Sequence, residues 1–317
     1  MTGLRMLITG ASGLLGRWVA HLGSHSFQVL GTYHTHPIHL PRVETIPLDL
    51  RDEPRVHQVV HTWQPHIIIH TAVYIGDEET MEAVIVRGTE HLARAAAAVR
   101  ARLIHLSTDL VFDGETGWYR EEDPPRPIMP YGQAKTRAET IVQALVADAV
   151  IVRTSLICHL NPPDPRTQWI VDSAREGKPI TLFEDEYRTP VWVSDLAAAL
   201  LELATHPYRG ILHLAGPQRL SRYELGIRMA QALGVPVAGI GRGRSRESGL
   251  IRPLDASLNT ERARRLLRTP LHSIDDGLAD PGISRRPAPI LKAHKKQGPE
   301  PGGSGPWHTT PGGERSK

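Results

Sequence analysis

Tyr131-Gly132-Gln133-Ala134-Lys135 sets a phenol and an ammonium four residues apart. On a helix that spacing puts both on one face. Pro130 comes just before and favours a helix start. A free phenol titrates near ~10, too high for efficient proton exchange at neutral pH. A nearby ammonium favours the phenolate and lowers that value. The pair therefore reads as a proton donor, Tyr131, tuned by Lys135. Upstream, Ser107-Thr108-Asp109-Leu110-Val111-Phe112-Asp113-Gly114 supplies a hydroxyl, Thr108. Such a group hydrogen-bonds a carbonyl and stabilises the negative charge developing on it. Taken alone, each segment also has a plainer reading: an ordinary helix face, and a Ser/Thr turn closing a strand.

A third segment, Thr9-Gly10-Ala11-Ser12-Gly13-Leu14-Leu15-Gly16, lies between an apolar run and a helix-like stretch. That is the context of a dinucleotide-binding turn. Gly10 permits the sharp turn, Gly13 a close approach of the pyrophosphate, and Gly16 tight helix–strand packing. The helix start after it offers N–H groups and partial positive charge to phosphates. Ser12, Leu14 and Leu15 belong to the same cradle. An acid after the second strand would bind a ribose 2′-hydroxyl. Here that stretch is Thr32-Tyr33-His34-Thr35-His36, and Arg17 follows the third glycine. NADP(H) is favoured over NAD(H) on that ground.

The glycine spacing after Thr9 resembles extended short-chain dehydrogenases/reductases. Residues 107–114 resemble the Ser-Thr-Asp-aromatic-Val-Phe-x-Gly signature of the dTDP-4-dehydrorhamnose reductases, with Leu110 in place of the aromatic. The resemblance spans residues 5 to about 278. It implies Thr108, Tyr131 and Lys135 as the catalytic triad, and Asp49-Leu50 and Thr71-Ala72 beside the cofactor. It also implies Asp109, Val111, Phe112, Arg188 and Arg252 on the substrate. The expected activity is NADPH-dependent reduction of a 4-keto-6-deoxy nucleotide sugar. Two other functions are compatible: a nucleotide-sugar 4-epimerase, and an NADP-binding regulator similar to the methionine adenosyltransferase β subunit. One departure stands out: the family often carries Asn three residues before Gly88-Thr89, and here that place is Ile85.

The elements that must position these groups alternate. Strand-like runs fall at 4–9, 28–32, 43–48, 66–70, 103–106 and 149–152, with helical stretches at 13–24, 51–63, 78–100 and 131–147. Repeated β–α alternation implies a parallel sheet with helices on both faces. The expected fold is α/β, a doubly wound Rossmann sheet with a smaller C-terminal α+β substrate lobe. Residues 1–154, with a return segment at about 190–214, would form the nucleotide-binding part. Residues 155–189 and 215–280 would form the lobe. Within it, 161–166 reads as a Pro-rich loop, 169–176 as helix, and Ser194 and Ser221 as helix caps.

The chain has 317 residues and a formal charge of +3. Residues 281–317 hold seven Lys/Arg and two Glu, hence +5, which leaves 3 − 5 = −2 for the rest. That balance disfavours nucleic acid as a partner. The same 37 residues carry seven Pro and seven Gly, the composition of a disordered tail. A single cysteine, Cys158, excludes an intrachain disulfide. No apolar run reaches the ~18 residues of a membrane span, and no signal-peptide pattern opens the chain. A cytoplasmic location is expected, with no metal; a homodimer is left open. His57 and His61 lack the Glu of a zinc-binding helix motif, and His34, His36 and His39 have no companion ligands.

Overall fold

The computed structural model describes residues 3–287 and 289. The first half runs β1 (Arg5–Thr9), α1 (Leu14–Gly23), β2 (Gln28–Tyr33), β3 (Val43–Pro47), α2 (Glu53–Trp63) and β4 (Ile67–His70). It continues through α3 (Glu78–Met81), a π-helical stretch (Glu82–Arg87), α4 (Gly88–Ala98), β5 (Arg102–Thr108), α5 (Pro130–Leu145) and β6 (Ala149–Thr154). Seven strands form one sheet, the last being Gly210–Leu214, in the order Gly210–Leu214, β6, β5, β4, β1, β2, β3. Every pairing in it is parallel. This is the Rossmann-like, doubly wound sheet that the alternation implied.

The strand sequences explain the two layers. Successive side chains on a strand point to opposite faces. Met6 and Ile8, Ile67 and Ile69, and Val150 and Val152 pack on one face with Trp18 and Val19 of α1. Leu7, Ile68, Leu103 and Ile151 pack on the other with Val60 of α2, Leu92 of α4 and Val142 of α5. Burial on both faces is why these strands read as continuous apolar runs.

Beyond β6 the chain leaves the sheet. It forms β7 (Ile157–Cys158), α6 (Pro165–Arg175), β8 (Ile180–Phe183), β9 (Tyr187–Arg188) and β10 (Val191–Trp192). Helix α7 (Val193–Thr205) and β11 (Gly210–Leu214) return it to the sheet. Then come β12 (Leu220–Ser221), α8 (Arg222–Ala232), β13 (Ile240–Gly243), α9 (Glu261–Leu266), α10 (Ile274–Ala279) and α11 (Pro281–Ser284). Ile170, Val171, Ile180, Leu182, Ala230 and Ile240 make a separate core between α6, α8 and the β8–β13 ladder.

Several expectations need correction. The helix expected over 78–100 is interrupted by the π-helical stretch. Its buried Ile85 and Val86 join Met81 against Ala134 and Ala138 of α5. Residues 161–166 are not all loop: Asp164 accepts from the Arg166 and Thr167 N–H groups, and Pro165 opens α6. Ser194 lies inside α7 rather than capping it, whereas Ser221 makes the capping box with Glu224. The tail does not begin at 281. Asp280 caps α11, the Leu160 N–H donates to the Ser284 carbonyl at 3.1 Å, and His159 Nε2 lies 3.0 Å from the Arg286 carbonyl. These hydrogen bonds, with Ile283 packed against the cluster of Leu156, Trp192 and Ile274, seat the segment. Residues 290–317 of the expected tail lie outside the described residues.

The turn after β1 is sterically closed. Gly10 has φ +72°, and a Cβ there would sit 2.7 Å from the Ala72 backbone. A Cβ on Gly16 would overlap the Gly10 carbonyl oxygen. Gly16→Ala is expected to lose about 1–3 kcal/mol of stability, as an over-packed site does; urea unfolding measures it.

Candidate active site

A cleft of about 610 Å³ opens at the carboxyl ends of β1, β4, β5 and β6. This is where the strand order reverses, between β1 and β4, the usual ligand crevice of such sheets. Gly10, Gly13, Leu14, Leu15, Gly16 and Thr71 line one end. Helix α1 starts there with neither an acid in its first turn nor a side-chain cap. Its first N–H groups are therefore left for a ligand. A Cβ on Gly13 would meet only the Gly10 carbonyl oxygen, at 3.3 Å. The backbone is thus open to close approach there, and the cradle fits a dinucleotide pyrophosphate.

Thr108, Tyr131 and Lys135 line the middle of the cleft together. Thr108 ends β5, while Tyr131 and Lys135 share α5. The rotation of α5 is fixed from beneath. Glu139, one turn beyond Lys135, pairs with Arg153 of β6 at 2.8 Å, and both side chains are almost wholly buried. Ser107 of β5 donates to the same carboxylate. Lys135 is buried too, and its ammonium donates to the Leu106 carbonyl at 2.6 Å.

The titration of the pair differs from expectation. Burial, together with the charge of Asp109, pushes the Tyr131 phenol above its ordinary value, opposed by a hydrogen bond with Thr108. Lys135 does not act as the tuning charge, because its ammonium is anchored on the end of β5. Burial pushes Lys135 itself down to about 8, with Glu139 pulling the other way. Tyr131 therefore holds its proton at neutral pH. Behind Lys135, His70 and His105 meet ring to ring at 5.1 Å. Burial and the Lys135 charge push His70 down to about 3, and depress His105 well below its usual value.

Other expected contacts fall differently. Asp109 lines the cleft, but its carboxylate is engaged inward. Ser155 Oγ donates to it at 2.6 Å and Thr108 Oγ1 at 3.1 Å. Val111 and Phe112 are fully buried and do not line the cleft. Phe112 stacks on Tyr119 at 4.1 Å, under the Arg153 guanidinium, and supports the floor. Leu50 is likewise a core residue. Ser12, Arg17, His34, Asp49 and Ala72 lie outside the cleft lining. Arg17 donates to the Ser12 carbonyl at 2.9 Å. Arg51 holds Asp49 at 2.6 Å, with His34 3.4 Å away. Cys158 is buried, its thiol pushed up to about 12 by that burial. Among the described residues no cluster of His, Cys, Asp and Glu could hold a metal, and no helix is long and apolar enough to cross a membrane.

Arg188 and Arg252 line the far end of the cleft, as expected, with Arg166 and Glu186. The sequence reading missed Arg166, Glu186 and Arg222. They stand on α6, on the β8–β9 connection and at the start of α8, and no spacing in the sequence announces their convergence. A smaller cavity of about 180 Å³ continues past them, lined by Trp169, Phe183, Leu225 and Met229 with Arg166, Arg222 and Arg252.

The Lys135 shift has a sign that can be checked. Protonated Lys135 is disfavoured in the folded state. The penalty is full below pH 8 and fades as pH rises towards the unfolded value of 10.5. Relative to Lys135→Met, wild type should therefore gain about 3 kcal/mol of stability between pH 7 and pH 10.5, read by urea titrations across that range.

Comparison with known proteins agrees with this architecture. Residues 4–281 match the RmlD substrate binding domain family. The chain is 32% identical over 247 residues to methionine adenosyltransferase 2 subunit beta of Xenopus laevis, covering 73% of each chain. A dTDP-4-dehydrorhamnose reductase from Sulfolobus tokodaii, described as hypothetical, superposes with a TM-score of 0.76 at 34% identity, over 86% of this chain and 99% of that one. The Bacillus anthracis dTDP-4-dehydrorhamnose reductase, solved in complex with NADP, gives 0.77 at 25% identity, over 88% and 98%. With its glycine cradle, its doubly wound sheet and nearly its whole described length matched, this chain belongs to the RmlD substrate binding domain family.

Proposed function

We propose that this chain is an NADPH-dependent reductase of a 4-keto-6-deoxy nucleotide sugar, of the dTDP-4-dehydrorhamnose reductase type. The observation that carries the reading is the continuity of one cleft: glycine cradle, then Thr108, Tyr131 and Lys135, then an arginine-rich end. A nicotinamide cofactor, when bound, supplies the hydride. Thr108 orients the substrate carbonyl, and Tyr131 delivers a proton to its oxygen. A phenol that keeps its proton at neutral pH suits that direction of reaction. Lys135, which lines the cleft beside Tyr131, holds the ribose side of the cofactor.

The other ends of the site fit the same substrate class. Arg188 and Arg252 would meet the diphosphate, and the smaller cavity, walled by Trp169 and Phe183, suits a nucleobase. The preference for NADP(H) rests on the acid-free end of β2 and on two basic groups. Arg17 has a buried Nε without a hydrogen-bond partner among the described residues. Arg51 already neutralises Asp49. Such a surface accepts a 2′-phosphate that an acid would repel.

A second reading has a specific observation behind it. The chain is 32% identical to methionine adenosyltransferase 2 subunit beta, against 34% for the Sulfolobus tokodaii reductase. Ile85 also places an apolar side chain, not an amide, in the packing beside Tyr131. A regulator would bind NADPH and consume none on any keto sugar.

The test is NADPH oxidation with dTDP-4-dehydrorhamnose generated in situ. Rapid oxidation is expected, with Tyr131→Phe slower by about 10²–10⁴-fold, the usual weight of a general acid. Tight NADPH binding without oxidation would favour the regulator. Arg17→Ser should cut kcat/KM for NADPH by about tenfold, a loss of ~1.4 kcal/mol, and leave NADH use unchanged; parallel assays with the two cofactors read the ratio.

A further inference from the structure

We infer that Glu186 and Arg188 are positioning residues that join the cationic end of the cleft to the Thr108 hydroxyl, with Glu186 competing against the ligand's anionic group for Arg222 and Arg252. The inference rests on the reductase reading above and deepens it.

The connection is a continuous chain of buried charges. Arg188 Nη2 donates to Glu186 Oε1 at 3.1 Å. Arg188 Nε faces Asp109 Oδ2 at 3.6 Å. Asp109 Oδ1 in turn accepts from Thr108 Oγ1 at 3.1 Å. On the other side, Glu186 Oε1 lies 3.9 Å from Arg222 Nε, and Oε2 lies 3.8 Å from Arg252 Nη1. The Glu186 and Arg188 side chains are 3% and 4% exposed. Water therefore does little to screen these charges, and each depends on its partners.

Two features separate this chain from a plain structural ion pair. First, Arg188 is fixed by backbone as well. Its Nη1 donates to the Tyr187 carbonyl at 2.6 Å and to the Pro253 carbonyl at 3.1 Å. It therefore ties the segment carrying Arg252 to the acid that holds Thr108. Second, Glu186 Oε2 is buried and accepts no hydrogen bond among the described residues. It draws Arg252 by charge at a distance too long for a hydrogen bond. A phosphate oxygen at hydrogen-bond distance would outbid it.

Arg166, Arg188, Arg222 and Arg252 gather here around Asp109, Asp164 and Glu186. Burial, and then the charges of Arg166, Arg188 and Arg252, disfavour the charged form of Arg222, and Glu186 opposes them. Glu186 thus holds like charges together in the free protein. That is the arrangement a diphosphate would take over.

Three proteins decide the matter: wild type, Glu186→Gln and Glu186→Asp. Binding of deoxythymidine diphosphate is measured by calorimetry, and kcat and KM by NADPH oxidation. Glu186→Gln removes the competing charge at constant shape. It should bind the diphosphate about 3- to 10-fold tighter, yet lose about tenfold in kcat because Arg188 loses the charged partner that balances its pull on Asp109. Glu186→Asp keeps the charge and shortens the reach. Its diphosphate affinity should stay within about twofold of wild type while kcat falls. A merely structural acid would weaken binding and turnover together. That result, or Glu186→Gln binding no tighter while wild type is active, overturns the inference alone. If wild type neither binds the diphosphate nor oxidises NADPH, the reductase reading fails and takes the inference with it.

Discussion

The buried pair of Glu139 and Arg153 is the constraint on which the site's geometry hangs. It joins α5 to β6, and Ser107 brings β5 into the same contact. A helix lying on a sheet by apolar contacts alone can roll, since burial is non-directional. A charged hydrogen bond in a desolvated place cannot roll without leaving a bare carboxylate, which costs about 3–5 kcal/mol. The pair therefore sets the azimuth of α5. Lys135 and Tyr131, one and two turns before Glu139, follow it into the cleft.

The same low-polarity surroundings govern protonation. Burial pushes Lys135 down to about 8, and the charge of Glu139 partly offsets it. Burial keeps the imidazoles of His70 and His105 neutral, so no second cation opposes the lysine from the sheet. His70 is held between Thr9 Oγ1 at 2.6 Å and Thr89 Oγ1 at 3.1 Å. The strand ends beneath the glycine turn are thus tied to α4 by polar contacts as well as by packing.

The cleft is assembled from two kinds of scaffold. Its cofactor-like end stands on the strand ends and helix starts of the large sheet, whose register is fixed by two buried faces. Its arginine-rich end stands on short ladders and connections, where paired charges provide the order that long strands provide elsewhere. Arg188 is the hinge between the two. It is bonded to the β9 backbone and the 253 carbonyl on one side and aimed at Asp109 on the other.

Legible in the sequence are the sheet, the glycine cradle and the Tyr131–Lys135 pair, to which the family signature adds Thr108. Those features are local: strand periodicity, a turn that only glycine tolerates, and residues four apart on a helix. Tertiary structure alone decided the rest. It turned Val111 and Phe112 into floor, because both side chains pack into a core with Tyr119, Ala215 and Leu258. It reversed the expected titration of Tyr131, because burial and the seat of Lys135 are properties of the packed state. It brought Arg166, Glu186 and Arg222 together from separate elements. Spacing along the chain encodes what one helix or one turn presents, whereas charges more than a turn apart meet only where packing brings their elements together.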